Sequence, residues 1–285
     1  MNNLNPLEHP QDKANIYKLL EEHGYTDIKK ADVISSSNKL FTAIKDDINC
    51  IIKVYADNDG RSGKISSKSD REMLCYENLP KDITLNVVEV NRQDRYLATE
   101  IADLEKVEKT EENLLALIDW YYEKVATIDG SFLPEMEWNY YESTLKKLPH
   151  LEELGIINNS EKITKLFEES KELFANCPKS FIHTDFNLVN IKKNKGEFII
   201  YDFEYSRNDT PLLDMATLYI DFYDDEHLRK VFEDRIKQTP NYDEELFKLM
   251  LLQRSILVMN HFYNTSTVDY FEKNKKVFED ISAKF

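Results

Sequence analysis

The hydrophobic pattern of this chain changes period once, near Ile101, and that change limits the folds open to it. Before it, apolar residues come in short runs. Leu40-Phe41-Thr42-Ala43-Ile44 and residues 48–55 read as strands, and the short polar link through Asp46-Asp47 predicts an antiparallel hairpin. Val33-Ile34 reads as a shorter strand ahead of Ser35-Ser36-Ser37-Asn38. Residues 84–90 and 95–101 predict a second hairpin across Asn91-Arg92-Gln93-Asp94. Two helices belong to this part. One spans residues 11–22, with Ala14, Tyr17 and Leu20 on one face and Gly24 beyond; the other spans 70–79, with Asp70 as a cap and Pro80 past its end. After Ile101 the spacing turns helical, over 111–128, 138–148, 161–175, 211–223, 226–237 and 243–263. Two strand-like runs, 189–193 and 198–201, interrupt it and are joined by Asn194-Lys195-Gly196. The expected architecture is therefore α+β in two lobes. Residues 1–101 form a small, mostly antiparallel sheet with an inserted helix, and residues 102–285 form a larger, mainly helical lobe.

Composition removes several function classes. The six glycines are Gly24, Gly60, Gly63, Gly130, Gly155 and Gly196. None of them builds a dinucleotide fingerprint or a Walker-type phosphate loop, so any nucleotide must be held by other chemistry. With 37 basic and 53 acidic residues the net charge is −16, which argues against nucleic acid as a partner. It suits a cationic substrate, and equally a surface that is acidic for solubility. Cys50, Cys75 and Cys177 form no C-x-x-C and no zinc pattern, and read as free thiols in a reducing compartment. The polar start MNNLNPLEHPQDK has no signal core, and no apolar run approaches the ~18 residues of a membrane span. A cytoplasmic protein without membrane insertion is expected.

The chemistry concentrates in FIHTDFNLVNIKKNKGEFIIYDFEYSRNDTPLLDMA, residues 181–216. His183-Thr184-Asp185 follows an apolar pair, Asn190 lies five residues beyond Asp185, and the apolar run Phe198-Ile199-Ile200-Tyr201 ends in Asp202. A hairpin so built could bring Asp185, Asn190 and Asp202 to one edge of a cleft. Hard oxygen donors suit Mg²⁺, and a spare carboxylate suits a hydroxyl proton. A turn rich in Asp and Asn for backbone reasons is the plainer alternative, but a turn requires no fixed spacing to a second, strand-ending aspartate.

This pattern, H-x-D-x-x-x-x-N followed by an apolar run and Asp, resembles the core of the aminoglycoside phosphotransferase and choline kinase superfamily, and more distantly that of protein kinases. Asp202-Phe203-Glu204-Tyr205 is similar to the choline kinase form, and Asp209 to Ala216 resembles the segment that follows it. The family often carries glycine where this chain has Thr184. The resemblance implies a protein-kinase-like two-lobed fold and a Mg²⁺-dependent transfer of the γ-phosphate of ATP or GTP to a small-molecule hydroxyl. It implies that Asp185 receives or orients the hydroxyl proton, that Asn190 and Asp202 hold the metal, that His183 braces the loop, and that Asp214 pins the loop from behind. Lys53, a lone cation in Ile51-Ile52-Lys53-Val54-Tyr55, would pair the phosphates and be held by Glu72, with Glu77 as a competing partner on the same helix. Ser35, Ser36 and Ser37 would cover the phosphates, and Glu100, Ile101 and Ala102 fall at the hinge that would contact the base.

Two features bear on the acceptor. Asp221, Asp224, Asp225 and Glu226 cluster, with Glu204 and Tyr205 beside the metal aspartate, and could receive the ammonium groups of an aminoglycoside or amino alcohol. Trp120-Tyr121-Tyr122, Trp138, Tyr140-Tyr141 and Phe262-Tyr263 could cage a quaternary ammonium such as choline. Solvated acids and core aromatics are the ordinary readings of both. A cationic hydroxyl compound is thus the first expectation for the acceptor, a neutral sugar or glycan precursor the second. A nucleotide-binding pseudokinase or scaffold is the reading from another class, which the full residue set speaks against.

Overall fold

The structure, a computed structural model, describes residues 10–31, 38–55, 68–135, 140–263 and 268–285, the side chains of 10–14 and 140 excepted. The expected strand at Val33-Ile34, the serines 35–37 and Trp138 lie outside the described residues. The chain divides into two compact units. One holds the residues up to Leu104 together with Ile199–Glu204; the other holds Glu105–Phe198 and Tyr205–Phe285.

The first unit is a five-stranded antiparallel sheet with two helices. Helix α1 covers Pro10–Glu22, and strands β1 Thr26–Lys30, β2 Lys39–Lys45 and β3 Ile48–Val54 follow. Helix α2 (Lys68–Asn78), β4 (Val87–Asn91) and β5 (Tyr96–Glu100) complete it, in strand order β1-β2-β3-β5-β4. The expected hairpin is present. Asp46 and Asp47 take φ of 49° and 63°, the pair of left-handed conformations that matches the twist of two antiparallel strands. Strand periodicity then sorts β3. Cys50, Ile52 and Val54 are buried in a core with Ile16, Leu20, Phe41 and Tyr96, while the intervening Lys53 belongs to the other face. Strand β1 has no apolar alternation to announce it. It is a mostly exposed edge strand, carrying Lys29 and Lys30 and an irregularity between Thr26 and Lys29. Asp70 lies inside α2 instead of capping it, because the helix starts at Lys68.

The second unit is mainly helical. Its elements are β6 (Leu104–Lys106), which begins on the last residue of the first unit, then α3 (Glu111–Trp120), α4 (Tyr140–Glu153), α5 (Ser160–Glu169), α6 (Lys171–Asn176), β7 (Ser180–Ile182) and β8 (Ile191–Asn194). Next come β9 (Glu197–Ile200), whose last two residues belong to the first unit, β10 (Arg207–Asp209), α7 (Pro211–Phe222), α8 (Glu226–Ile236), α9 (Glu244–Phe262) and α10 (Val268–Ser282). Helix α9 is buried on nearly every side, as its all-round apolar sequence requires, and α10 packs on it through Asn274, Val277, Phe278 and Ile281. That stripe is diluted by charge, which is why the sequence pattern alone does not reveal α10. The expected helix over 111–128 ends early: α3 gives way to a wider π-helical turn, Tyr121–Val125. The expected helix over 161–175 breaks at Ser170, whose backbone leaves the helical region (φ −92°, ψ 6°). Strands β7 and β10 pair antiparallel, Ile182 opposite Arg207. Gly130 lies against them so closely that a Cβ would stand 2.9 Å from the Phe181 nitrogen, so only glycine fits there. Lys195 and Gly196 (φ 52° and 87°) turn β8 into β9. No helix among the described residues is long and apolar enough to cross a membrane.

Candidate active site

In the first unit the sheet and α2 together build a charged cluster. Lys53 leaves β3 on the face away from the core. Its Nζ lies 2.7 Å from Glu72 Oε2 on α2, 2.8 Å from Asp202 Oδ1 and 2.9 Å from Glu204 Oε1. Glu77, the competing partner, instead pairs with Arg92 at 2.5 Å. Glu72 also accepts the Tyr55 hydroxyl at 2.8 Å, and Glu204 accepts Asn38 Nδ2 at 2.5 Å. Asp202 and Glu204 reach Lys53 because residues 199–204 belong to this unit, with the Ile200 N–H on the Ile83 carbonyl at 2.9 Å and Phe203 packed edge-on against Tyr76. Burial works against the charge of Lys53, but Glu72, Asp202 and Glu204 outweigh it and hold the ammonium well above its usual value. Glu72 is pushed up, first by burial and then by the two neighbouring carboxylates, with Lys53 opposing. Glu72, Asp202 and Glu204 place carboxylate oxygens within 4.8 Å of one another, a hard-oxygen set suited to Mg²⁺, and Asp202 is the member with its side chain 45% exposed.

In the second unit, β7 delivers the chain into a tight loop. Asp214, fully buried in α7, lies behind it. Its Oδ2 accepts the His183 N–H at 2.7 Å and the Tyr121 hydroxyl at 2.9 Å, and its Oδ1 accepts the Thr184 N–H at 2.6 Å. Burial pushes the Asp214 carboxyl up, against His183 and these three donors. Thr184 is held at φ 67°, costly for a β-branched residue, and its hydroxyl donates to the Tyr205 carbonyl at 3.0 Å. Asp202 in the first unit is likewise left-handed at φ 71°. His183 Nδ1 accepts the Asp185 N–H at 3.3 Å, and Asn190 Nδ2 donates to the Asp185 carboxylate and carbonyl at 3.0 Å each. Asp185 Oδ1 meets Arg254 of α9 at 2.6 Å. Burial alone would raise the Asp185 carboxyl; Arg254 above all, then His183 and Asn190, hold it below the usual aspartate value.

The remaining expected residues are placed as follows. Ser35, Ser36 and Ser37 lie outside the described residues. At the expected hinge, Glu100 and Ile101 spend their N–H groups on the carbonyls of Asn86 and Asn49, which leaves Ala102 as the third of that segment. Glu204 is committed to Lys53 and Asn38, and Tyr205 supports the loop through its carbonyl. Asp221 accepts the Leu188 N–H at 2.7 Å, and Asp224 pairs with Lys273 at 2.7 Å. Of the aromatics expected for a cage, Trp120 packs on Phe198, Tyr121 on Phe186, Tyr141 on Phe174 and Tyr263 on His150; Trp138 and the side chain of Tyr140 lie outside the described residues. Sequence reasoning missed Arg254. Its signal was a single arginine inside the apolar run Leu249-Met250-Leu251-Leu252-Gln253-Arg254-Ser255-Ile256.

An antiparallel sheet unit followed by a mainly helical unit is the order of the protein-kinase-like fold, and solved structures share it over nearly the whole chain. Choline kinase LicA from Streptococcus pneumoniae matches with a TM-score of 0.67 over 97% of this chain and 100% of its own, at 15% identity. A thermostable mutant of aminoglycoside phosphotransferase APH(4)-Ia, in a ternary complex with ADP and hygromycin B, matches at 0.66 and 13% identity, over 94% of this chain and 98% of that one. A choline/ethanolamine kinase family protein from Mesorhizobium loti matches at 0.65 and 14% identity, over 96% and 93%. The likeness is one of fold; no protein-family model and no curated protein matches the chain.

Proposed function

We propose that this chain is a small-molecule kinase that moves the γ-phosphate of ATP or GTP to a hydroxyl group. One observation carries the reading: Lys53 is paired with Glu72, Asp202 and Glu204 in one unit, while Asp185 and Asn190 are held on a loop that Asp214 grips from beneath in the other. Phosphoryl transfer asks for positioning and charge neutralisation more than for covalent chemistry, and these groups supply both. In the sequence reading the amino-terminal unit serves the nucleotide and the helical unit the acceptor.

Lys53, oriented by Glu72, pairs with the nucleotide phosphates. By the sequence reading, Asp202 in one unit and Asn190 in the other would each be a ligand for Mg²⁺, which when bound would neutralise charge on the nucleotide phosphates. Asn190 gives its amide N–H to Asp185, which leaves the amide oxygen for the cation. Asp185, kept ionised, orients the acceptor hydroxyl and takes its proton at a carboxylate oxygen. His183 braces the loop through its ring nitrogen and does not move a proton.

The test is a thermal melt with nucleotide and Mg²⁺, followed by ADP or GDP release against an acceptor panel. Ligand at a hundredfold excess over Kd adds about 2.7 kcal/mol of stability, a shift of several degrees. Asp202→Ala is expected to lose the Mg²⁺-dependent part of that shift. Asp185→Ala is expected to keep it and to lose turnover by about 10²–10⁴. A melt unmoved by either nucleotide would reject the reading.

A further inference from the structure

The acidic residues that a cationic acceptor would need are already matched by the chain's own groups. Asp185, the hydroxyl-orienting carboxylate, is paired with Arg254 at 2.6 Å. Asp221 holds the loop through the Leu188 N–H at 2.7 Å, and Lys109, Lys273 and Arg254 all offset its burial. Lys109 Nζ donates to the Asp221 carbonyl at 2.6 Å, and Lys273 pairs with Asp224. Asp225 is spent as the cap of α8, where its carboxylate accepts the Leu228 N–H at 3.0 Å, and Glu226 sits in that helix's first turn. Three carboxylates, Asp185, Asp221 and Asp224, thus face three cations, Arg254, Lys109 and Lys273. Arg254 is also fixed in place. It rises from the buried helix α9, its side chain is 14% exposed, and it hydrogen-bonds the Tyr270 hydroxyl.

We infer that the acceptor is uncharged where it meets the protein, a neutral hydroxyl compound, because Asp185, the carboxylate nearest the reacting hydroxyl, already has its cationic partner in Arg254. The inference deepens the kinase reading and rests on it. An ammonium group beside Asp185 would meet the guanidinium as well as the carboxylate, so the pair, neutral overall, offers no net attraction to offset the ammonium's desolvation. An anionic acceptor gains nothing, since the charge of Arg254 is spent on Asp185 and Asp185 repels an anion. A neutral hydroxyl meets neither cost. Arg254 is a positioning residue in this scheme: it acts through Asp185 and by exclusion.

Matched acceptors test this on the full chain with saturating Mg-ATP and Mg-GTP, read as nucleoside diphosphate release. Choline is compared with its carbon isostere 3,3-dimethylbutan-1-ol, and glucosamine with glucose. The uncharged member of each pair is expected to lead by at least about tenfold in kcat/KM. Arg254→Ala is expected to lower turnover of the uncharged member and to move the ratio at least about tenfold toward the cationic one, chiefly through KM. Arg254→Lys, which keeps the charge, is expected to retain the wild-type preference, and a melt of each variant shows that it is folded. A wild-type preference for choline or glucosamine overturns the inference, as does a ratio that Arg254→Ala leaves unmoved, or no turnover of either uncharged acceptor. Failure of the kinase reading is distinct: it shows as no melt shift with either nucleotide, whatever the acceptor.

Discussion

Replacing Asp214 by asparagine tests the loop's foundation most directly. The carboxylate is fully buried and receives three donors on two oxygens. An asparagine can place its single oxygen where Oδ2 lies and keep the His183 N–H and the Tyr121 hydroxyl. Its NH₂ then confronts the Thr184 N–H, so that donor is buried without an acceptor. A hydrogen bond to a charged group contributes about 1.5–3 kcal/mol, and the two surviving bonds weaken to neutral strength at about 1 kcal/mol less each. Against this, the variant no longer desolvates a charge, a cost already visible in the raised Asp214 carboxyl. The net expectation is a loss of about 2–4 kcal/mol. At roughly 2–4 °C per kcal/mol the midpoint falls by about 4–16 °C. Calorimetric melts at pH 7 measure this, with Tyr121→Phe as the control. That variant removes one donor and leaves both backbone N–H groups satisfied, so it should cost about 1 kcal/mol. An Asp214→Asn protein within about 0.5 kcal/mol of wild type, or no worse than Tyr121→Phe, would refute the account of the loop.

Further expectations concern single groups. At Thr184, glycine relieves about 1–2 kcal/mol of left-handed strain but loses the bond to the Tyr205 carbonyl and gains unfolded-state freedom, so Thr184→Gly should lie within about 1 kcal/mol of wild type. Thr184→Val keeps the strain without the bond and should be the less stable of the two by denaturant titration; the reverse order would remove strain from the argument. Lys53→Met takes the ammonium away from the buried Glu72, which keeps the Tyr55 hydroxyl and two repelling carboxylates, and should cost about 3–5 kcal/mol near neutral pH. A carboxyl raised in the folded state binds more protons there than in the unfolded chain, so its stabilisation is lost as pH rises through the folded value. Lys53→Met should therefore recover stability between pH 8 and pH 5 more steeply than wild type, and a parallel pH curve would contradict it. Asp185 is the opposite case. Its lowered carboxyl contributes stability that is present above the unfolded value and lost as pH falls through the folded one. The stability gap between wild type and Asp185→Asn should hold steady from pH 8 to about 5 and close below about 4, whereas a gap that widens on acidification would show that Arg254 does not hold the group ionised.

Much of this molecule was legible in one dimension, and the boundary of legibility has a physical cause. The hairpin through Asp46-Asp47, the alternation that sets Lys53 opposite Cys50, Ile52 and Val54, and the long helices of the second unit follow from period and turn chemistry, which act within a few residues. So did the spacing of His183, Asp185 and Asn190, since a single loop joins them. Where partners come from afar, the chain gave no such notice. Residues 199–204 packing with the first unit, the break at Ser170 and the π-helical turn at Tyr121 were settled by which surfaces meet. The acidic cluster shows the difference most plainly. Composition alone counts Asp221, Asp224 and Asp225 as free negative charge, but the folded chain brings Arg254, Lys109, Lys273 and helix-end N–H groups to that region. Sequence determined which chemical groups the protein owns and the local frame of each; only tertiary packing decided which charges cancel, because electrostatic pairing depends on distance in space and not on separation along the chain.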